Sequence, residues 1–118
     1  MSESQIDSIL DSIKILLGIE QTDTSFDQSL IIFINSALAN LIQIGVGLDL
    51  VNGFSITGSS ETWKDFIGED KRLNMVKSYV FIKVKLDFDP PANTSLLESY
   101  KNNLKENEYR LYIQKGSL

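Results

Sequence analysis

The sequence predicts a mainly α-helical protein, a small bundle of about four to five helices with a short β-hairpin or an extended loop between two of them. Three observations support this fold class. Apolar residues recur at helical steps between glycine and proline signals. Residues 28–48 carry no charge, although 23% of all residues are charged. The 118 residues have the size of one domain, so we expect a single domain over 1–118, with a flexible tail at about 115–118.

The first helix is predicted between residues 4 and 17, where apolar side chains fall at steps of three and four. Gly18 follows as a helix stop. The pattern indicates one apolar side, formed by Ile6, Ile9, Leu10, Ile13 and Leu17.

The second helix is predicted to begin after a cap at Ser25 or Asp27 and to run to about Ile44. Apolar residues cover about half of its circumference, and a largely neutral stripe covers the rest. Two interpretations stay open for this stripe, a wet edge of a core helix or a contact with a neighbouring subunit. The amides and the terminal glycines of the segment argue against a membrane span. The polar members of the stripe that we consider for a subunit contact are Asn35, Ser36, Asn40 and Gln43.

The segment from Val46 to Ser60 is rich in turn formers, and Asn52-Gly53 is a strong turn signal. It predicts a hairpin or extended loop, which is either a protruding contact element or an ordinary surface loop. A short helix is expected around residues 61–66, capped by Ser59 or Ser60. Within it Trp63 and Phe66 share one face and are expected to pack on the core.

The segment 70–88 gives conflicting signals. Apolar and polar residues alternate near its end, which favours a strand. Length favours a helix, since the segment contains no glycine or proline and exceeds a typical strand. Such a helix has two apolar stripes and is expected to pack in two directions. The second stripe, which we also consider for a subunit contact, consists of Met75, Tyr79, Ile82 and Leu86.

Asp89-Pro90-Pro91 ends this segment, and Asn93 or Thr94 is expected to start a last helix that runs to about Gln114. Its apolar stripe is narrow and its other side is highly charged. We therefore expect this helix on the outside of the bundle.

Composition excludes several classes of function. The 11 basic and 16 acidic residues give a formal charge of -5, which opposes binding to phosphate backbones. The absence of cysteine and histidine removes disulfides, thiol or histidine catalysis and the commonest transition-metal ligands.

Asp87 and Asp89 beside Tyr79 are the best remaining acid pair, but aspartates next to prolines usually form turns. We expect no catalytic, cofactor or metal site and no enzymatic activity. The first residues lack a secretory signal, so we expect the protein to stay where it is made.

Several motifs together resemble the head-tail connector (adaptor) proteins of long-tailed bacteriophages, over nearly the whole chain. A tyrosine, Tyr109, stands where the family usually has a tryptophan. The motifs are Asp23-Thr24-Ser25 with Phe26-Asp27, Ile34-Asn35-Ser36-Ala37, Gly45, Thr62-Trp63-Lys64-Asp65-Phe66, the Lys83 to Pro91 segment ending in Phe88-Asp89-Pro90-Pro91, and Tyr109-Arg110-Leu111.

The resemblance implies a structural subunit that forms a homo-oligomeric ring of about twelve copies beneath the portal protein. The ring would extend the DNA channel, with DNA passing without specific binding, and join the portal to a stopper or tail-completion protein. It implies a location at the head-tail interface of the virion, and in the host cytoplasm during assembly, with no membrane. The loop expected on the stopper or tail side contains Val51, Asn52, Gly53, Phe54 and Ile56. The tail expected on the portal side contains Arg110, Tyr112, Lys115 and Leu118.

Two other hypotheses stay open from the sequence. One is a free-standing helical adaptor or regulator that binds another protein through the same surfaces. The other is an acid-dependent hydrolase that uses Asp87 and Asp89.

Overall fold

The computed structural model describes residues 7–48 and 53–116, and the predicted mainly α-helical fold is confirmed. No strand occurs in these two ranges, so the predicted hairpin is not seen: residues 53–62 form an extended loop. The five helices are α1 Ile9–Leu17, α2 Asp27–Gln43, α3 Trp63–Ile67, α4 Leu73–Phe88 and α5 Thr94–Gly116.

α1 begins at Ile9, later than the sequence pattern predicts, because Ser8 is its N-cap. The Ser8 hydroxyl oxygen accepts a hydrogen bond from the amide of Asp11 at 3.2 Å. Just before the cap, Asp7 and Ser8 pair with the segment that precedes α3. The amide of Trp63 donates to the carbonyl of Asp7 at 2.9 Å. This antiparallel bridge ties the start of the chain to the loop between α2 and α3.

α2 begins without a side-chain cap, so the predicted capping by Ser25 or Asp27 is wrong. The Asp27 carboxylate instead lies 2.9 Å from the ammonium group of Lys14. Phe26 occupies the cap position, and its ring meets the ring of Phe88 edge to face at 5.4 Å. An ion pair and an aromatic contact thus replace the cap at this end of the bundle.

α3 is capped by Thr62, not by Ser59 or Ser60 as predicted. Thr62 accepts a hydrogen bond from the amide of Asp65, and the Asp65 carboxylate accepts one from the amide of Thr62. This reciprocal capping box satisfies two free amides at once, which a serine further upstream cannot do. The predicted packing of Trp63 and Phe66 on the core is confirmed, since both are buried.

α4 is a helix from Leu73 to Phe88, so the strand interpretation is wrong. It packs against α1 and α2 on one side and against α5 on another, which confirms packing in two directions. Apolar residues on two sides of a helix produce the alternation that resembles a strand in the sequence.

α5 starts where Asn93 accepts a hydrogen bond from the amide of Leu96 at 3.0 Å. It continues to Gly116, so residues 115 and 116 of the predicted flexible tail are helical, while 117 and 118 lie outside the described residues. Leu111 alone among its described side chains is buried, which confirms that α5 lies on the outside.

Candidate subunit and partner interfaces

One side of α2 forms the centre of the core. Its residues are related by steps of three and four, with Ala37 and Leu38 adjacent in the sequence, which places them along a single broad stripe of the helix. All are buried, with no exposed fraction, and they are Leu30, Ile34, Ala37, Leu38 and Leu41.

The opposite side of α2 is exposed and carries no charge. Ile32 is the most apolar member and is 66% exposed. At 1.5 Å per residue the 17 residues of the helix extend for about 25 Å. We call this surface the outer face of α2, and its residues are Ser29, Ile32, Ser36, Ala39 and Gln43.

Asn35 lies at one edge of this outer face and turns toward the α2–α3 loop. Its side-chain amide donates to the carbonyl of Ile56 at 3.0 Å, and its carbonyl oxygen accepts from the amide of Ile56 at 2.7 Å. Ile56 is 98% buried, so its backbone amide and carbonyl are shielded from water. The two hydrogen bonds to Asn35 satisfy these groups instead. Asn35 therefore holds the loop on the bundle within the subunit.

Replacement of Asn35 tests this role. Asn35→Ala leaves both buried backbone groups of Ile56 unpaired, and we expect it to lower the free energy of unfolding by about 1–3 kcal/mol. Urea denaturation measures this change. Ser36→Ala, one position along and exposed, is the control and should change it by less than about 0.5 kcal/mol. Equal effects of the two variants would contradict the assignment.

Asn40 lies at the other edge of the outer face and also turns inward. Its side-chain amide donates to the hydroxyl of Tyr79 at 3.4 Å, and that hydroxyl donates to Oε1 of Glu108 at 3.0 Å. Burial, with a smaller contribution from the Glu108 carboxylate, raises the pKa of Tyr79 to about 12 despite the hydrogen bond from Asn40. The hydroxyl thus stays protonated and links α2, α4 and α5.

The second apolar stripe of α4 is mostly covered by the subunit itself. Tyr79 is fully buried and Ile82 is 8% exposed, while Met75 and Leu86 are half-buried. Of the residues considered for a subunit contact, Ser36 and Gln43 are the exposed ones.

The α2–α3 loop is held on the bundle over its described part. The ring of Phe54 packs on the ring of Phe66 at a centroid distance of 5.3 Å. The Glu61 carboxylate accepts hydrogen bonds from the Thr57 amide and hydroxyl and from the Gly58 amide, and these outweigh burial and lower its pKa. Gly53 is half-buried, and Val51 and Asn52 lie outside the described residues. The segment is a braced loop around the buried Ile56.

The C-terminal part of α5 presents apolar side chains to solvent. Tyr109, Tyr112 and Ile113 are 65%, 59% and 48% exposed, and their spacing places them on one side of the helix. Arg110, beside them, forms an ion pair with Glu106. The side chain of Lys115 and all of Leu118 lie outside the described residues. The spacing of Tyr109 and Ile113 is visible in the sequence, but Tyr109 was not assigned to the portal-side tail, which was predicted to begin at Arg110.

Lys14 is a buried charge that the sequence interpretation missed. Its side chain is 1% exposed, and its ammonium group donates to the carbonyl of Gln21 at 3.0 Å and pairs with Asp27. Its position four residues after Leu10 and three before Leu17 places it on the apolar side of α1, which is a signal present in the sequence. Lys14 fixes the α1–α2 connection onto α1.

The candidate acid pair is engaged in surface ion pairs. Asp87 lies 2.7 Å from the Lys83 ammonium, and Asp89 lies 3.0 Å from that of Lys85, each four residues apart. Among the described residues no group of acids, histidines or cysteines is arranged to hold a metal ion. The same residues include no helix with the length and hydrophobicity needed to cross a membrane.

A sequence model of the family described as phage connector protein matches residues 9–117 of the chain. The chain belongs to this family. Its match spans all five helices, and the predicted resemblance to phage head-tail connectors is confirmed. No curated protein and no solved structure gives a significant match. The protein is thus a connector, a structural component of a bacteriophage virion.

The motifs shared with connectors have structural roles in this chain. Thr62 and Asp65 form the capping box of α3, and Phe88 packs against Phe26 and Phe33. Pro90 and Pro91 lie in the turn between α4 and α5. These residues preserve the bundle that carries the connector's surfaces.

Proposed function

We propose that this connector is the subunit of a homo-oligomeric ring of about twelve copies that joins the portal protein to a stopper or tail-completion protein and extends the DNA channel. The match over residues 9–117 is the observation that carries the proposal. The ring would stand at the head-tail interface of the virion, and its subunits would be in the host cytoplasm during assembly.

The outer face of α2 is the surface best suited to a neighbouring copy. Each chain has a formal charge of -5, so two copies repel each other wherever their acidic surfaces meet. The outer face carries no charge, and its serine, alanine and glutamine side chains require no buried ion on contact. Ile32, the large apolar residue of this face, gains from burial. Ser36 and Gln43 then contact the neighbour directly, while Asn35 and Asn40 support this face from its edges.

The size of this face sets the strength of a single contact. A strip of about 25 Å by 12 Å offers roughly 300 Å² per copy, well below the roughly 800 Å² per partner of a stable interface. The half-buried Met75 and Leu86 can enlarge it only slightly. We therefore expect the isolated connector to be monomeric at micromolar concentration and to form a ring when the portal aligns many copies.

Two further surfaces are assigned to the partners above and below the ring. The portal side is assigned the end of α5, with Tyr109, Tyr112 and Ile113 as an apolar helical surface, and the predicted tail residues Arg110, Lys115 and Leu118 are assigned to the same partner. The stopper or tail side is assigned Val51, Asn52, Gly53, Phe54 and Ile56 of the α2–α3 loop. The acidic composition supports a channel that DNA crosses without specific binding.

In vitro complementation tests this function. Heads made by a phage that lacks the connector gene should contain DNA but fail to join tails, and addition of the purified chain should restore infectious particles. Heads from a phage that lacks a tail-tube gene are the control and should gain nothing from it. Restored infectivity only in the first sample supports the proposal, and normal tail joining without the chain would refute it.

A further inference from the structure

Tyr79 contributes the buried hydroxyl at which three helices meet. Its side chain is fully buried on α4, it accepts a hydrogen bond from Asn40 of α2, and it donates one to Glu108 of α5. The bond to Glu108 is the shorter of the two, 3.0 Å against 3.4 Å, and its acceptor is a carboxylate. Hydrogen bonds to charged groups are among the stronger ones in proteins.

Among the described side chains in the C-terminal half of α5, few are removed from solvent. Leu111 is its one buried side chain among those described, and Leu104 is partly buried against the core. Glu108 lies three residues before Leu111 and four after Leu104, so all three lie on the same side of the helix. The polar bond is thus in the middle of a narrow apolar seam.

We infer that Tyr79 is a positioning residue, which through its bond to Glu108 fixes the C-terminal half of α5 on α4 and so fixes where the exposed surface of Tyr109, Tyr112 and Ile113 is presented. The consequence for a portal partner rests on the proposed function, whereas the positioning itself does not. A helix presented in one orientation binds with less loss of conformational freedom than one that opens and closes.

Loss of the Tyr79 hydroxyl would leave the polar groups on both sides of it without their hydrogen-bond partner. Without the hydroxyl, the half-buried Glu108 carboxylate and the Asn40 amide both face the apolar ring of residue 79. Leaving a carboxylate against an apolar surface favours its movement to water, and that movement opens the seam between Leu104 and Leu111.

Hydrogen exchange followed by mass spectrometry on the full chain tests the inference. Tyr79→Phe should speed exchange in residues 104–113 about tenfold to one-hundredfold, while α1 and α3 stay at wild-type rates. Glu108→Ala should reproduce this pattern, and Glu108→Gln, which keeps an acceptor oxygen, should restore most of the protection. Tyr109→Phe removes an exposed hydroxyl from the same helix and is the matched control, with wild-type rates expected.

The outcomes separate the inference from the proposed function. Wild-type exchange rates in Tyr79→Phe and Glu108→Ala would overturn the positioning role of Tyr79. Faster exchange spread equally over all helices would overturn it as well. A portal-binding assay forms the second arm, in which Tyr79→Phe should bind more weakly than Ser99→Ala, because Ser99 is an exposed position of α5 outside the surface of Tyr109, Tyr112 and Ile113. If the wild-type chain does not bind the portal at all, the proposed function fails and the exchange data still decide the positioning role.

Discussion

Ile32→Glu is expected to abolish portal-templated assembly while the subunit stays folded. Ile32 is 66% exposed on the outer face of α2, so a glutamate there is hydrated in the free chain. In a ring the same carboxylate would lose its water at every subunit contact that this face forms. Unpaired buried charges cost several kcal/mol each, so we expect assembly to weaken by at least about one-hundredfold.

Ser99→Glu provides the matched control. Ser99 is exposed on α5, and the same change of charge there lies away from the proposed subunit contact. Sedimentation of each variant with portal particles measures assembly, and circular dichroism confirms the fold. Equal assembly of the two variants would remove the outer face from the proposal, and loss of assembly by Ser99→Glu alone would move the contact to α5.

Asp27→Ala is expected to lower the free energy of unfolding by about 3 kcal/mol or more. The Lys14 side chain is 1% exposed, and its ammonium group would keep the carbonyl of Gln21 as its hydrogen-bond partner and only the exposed Asp23 as a nearby carboxylate among the described residues. Removal of one partner from a buried ion pair leaves an uncompensated charge, which costs more than the pair contributes. Urea denaturation, with the midpoint and slope both recorded, measures the loss.

Lys14→Met distinguishes this mechanism from simple loss of a contact. Methionine fills a similar volume without a charge, and Asp27, which is 25% exposed, can turn to water. We therefore expect Lys14→Met to cost less than half as much as Asp27→Ala. A cost for Lys14→Met that equals or exceeds that of Asp27→Ala would contradict the account of the buried charge.

The helical architecture could be predicted because it depends on local periodicity. The two stripes of α4 indicated packing in two directions, and Gly18, Pro90 and Pro91 marked the ends of helices. The strand-like alternation of the residues before Phe88 was resolved by length alone. The N-cap of α3 was less predictable, because serine and threonine are both favoured as N-cap residues and both occur before this helix. The reciprocal hydrogen bonds between Thr62 and Asp65 decide the position.

The inward orientation of the two asparagines of α2 could not be predicted from the helix. On a wheel Asn35 and Asn40 share the neutral stripe with Ser36 and Gln43, and they differ only in lying at its two edges. Whether an edge residue turns inward depends on what packs beside the helix, here Ile56 on one side and Tyr79 on the other. That information is long-range. The outer face was therefore predicted as uncharged, but its supporting residues were not distinguished from its exposed ones.

Native mass spectrometry of the purified portal particle mixed with the connector tests the central claim most directly. The proposal predicts a portal-bound species that carries many copies of the chain, near one copy per portal subunit, with free chain remaining monomeric. A portal particle that keeps its own mass at saturating connector, with the connector still folded by circular dichroism, would contradict it.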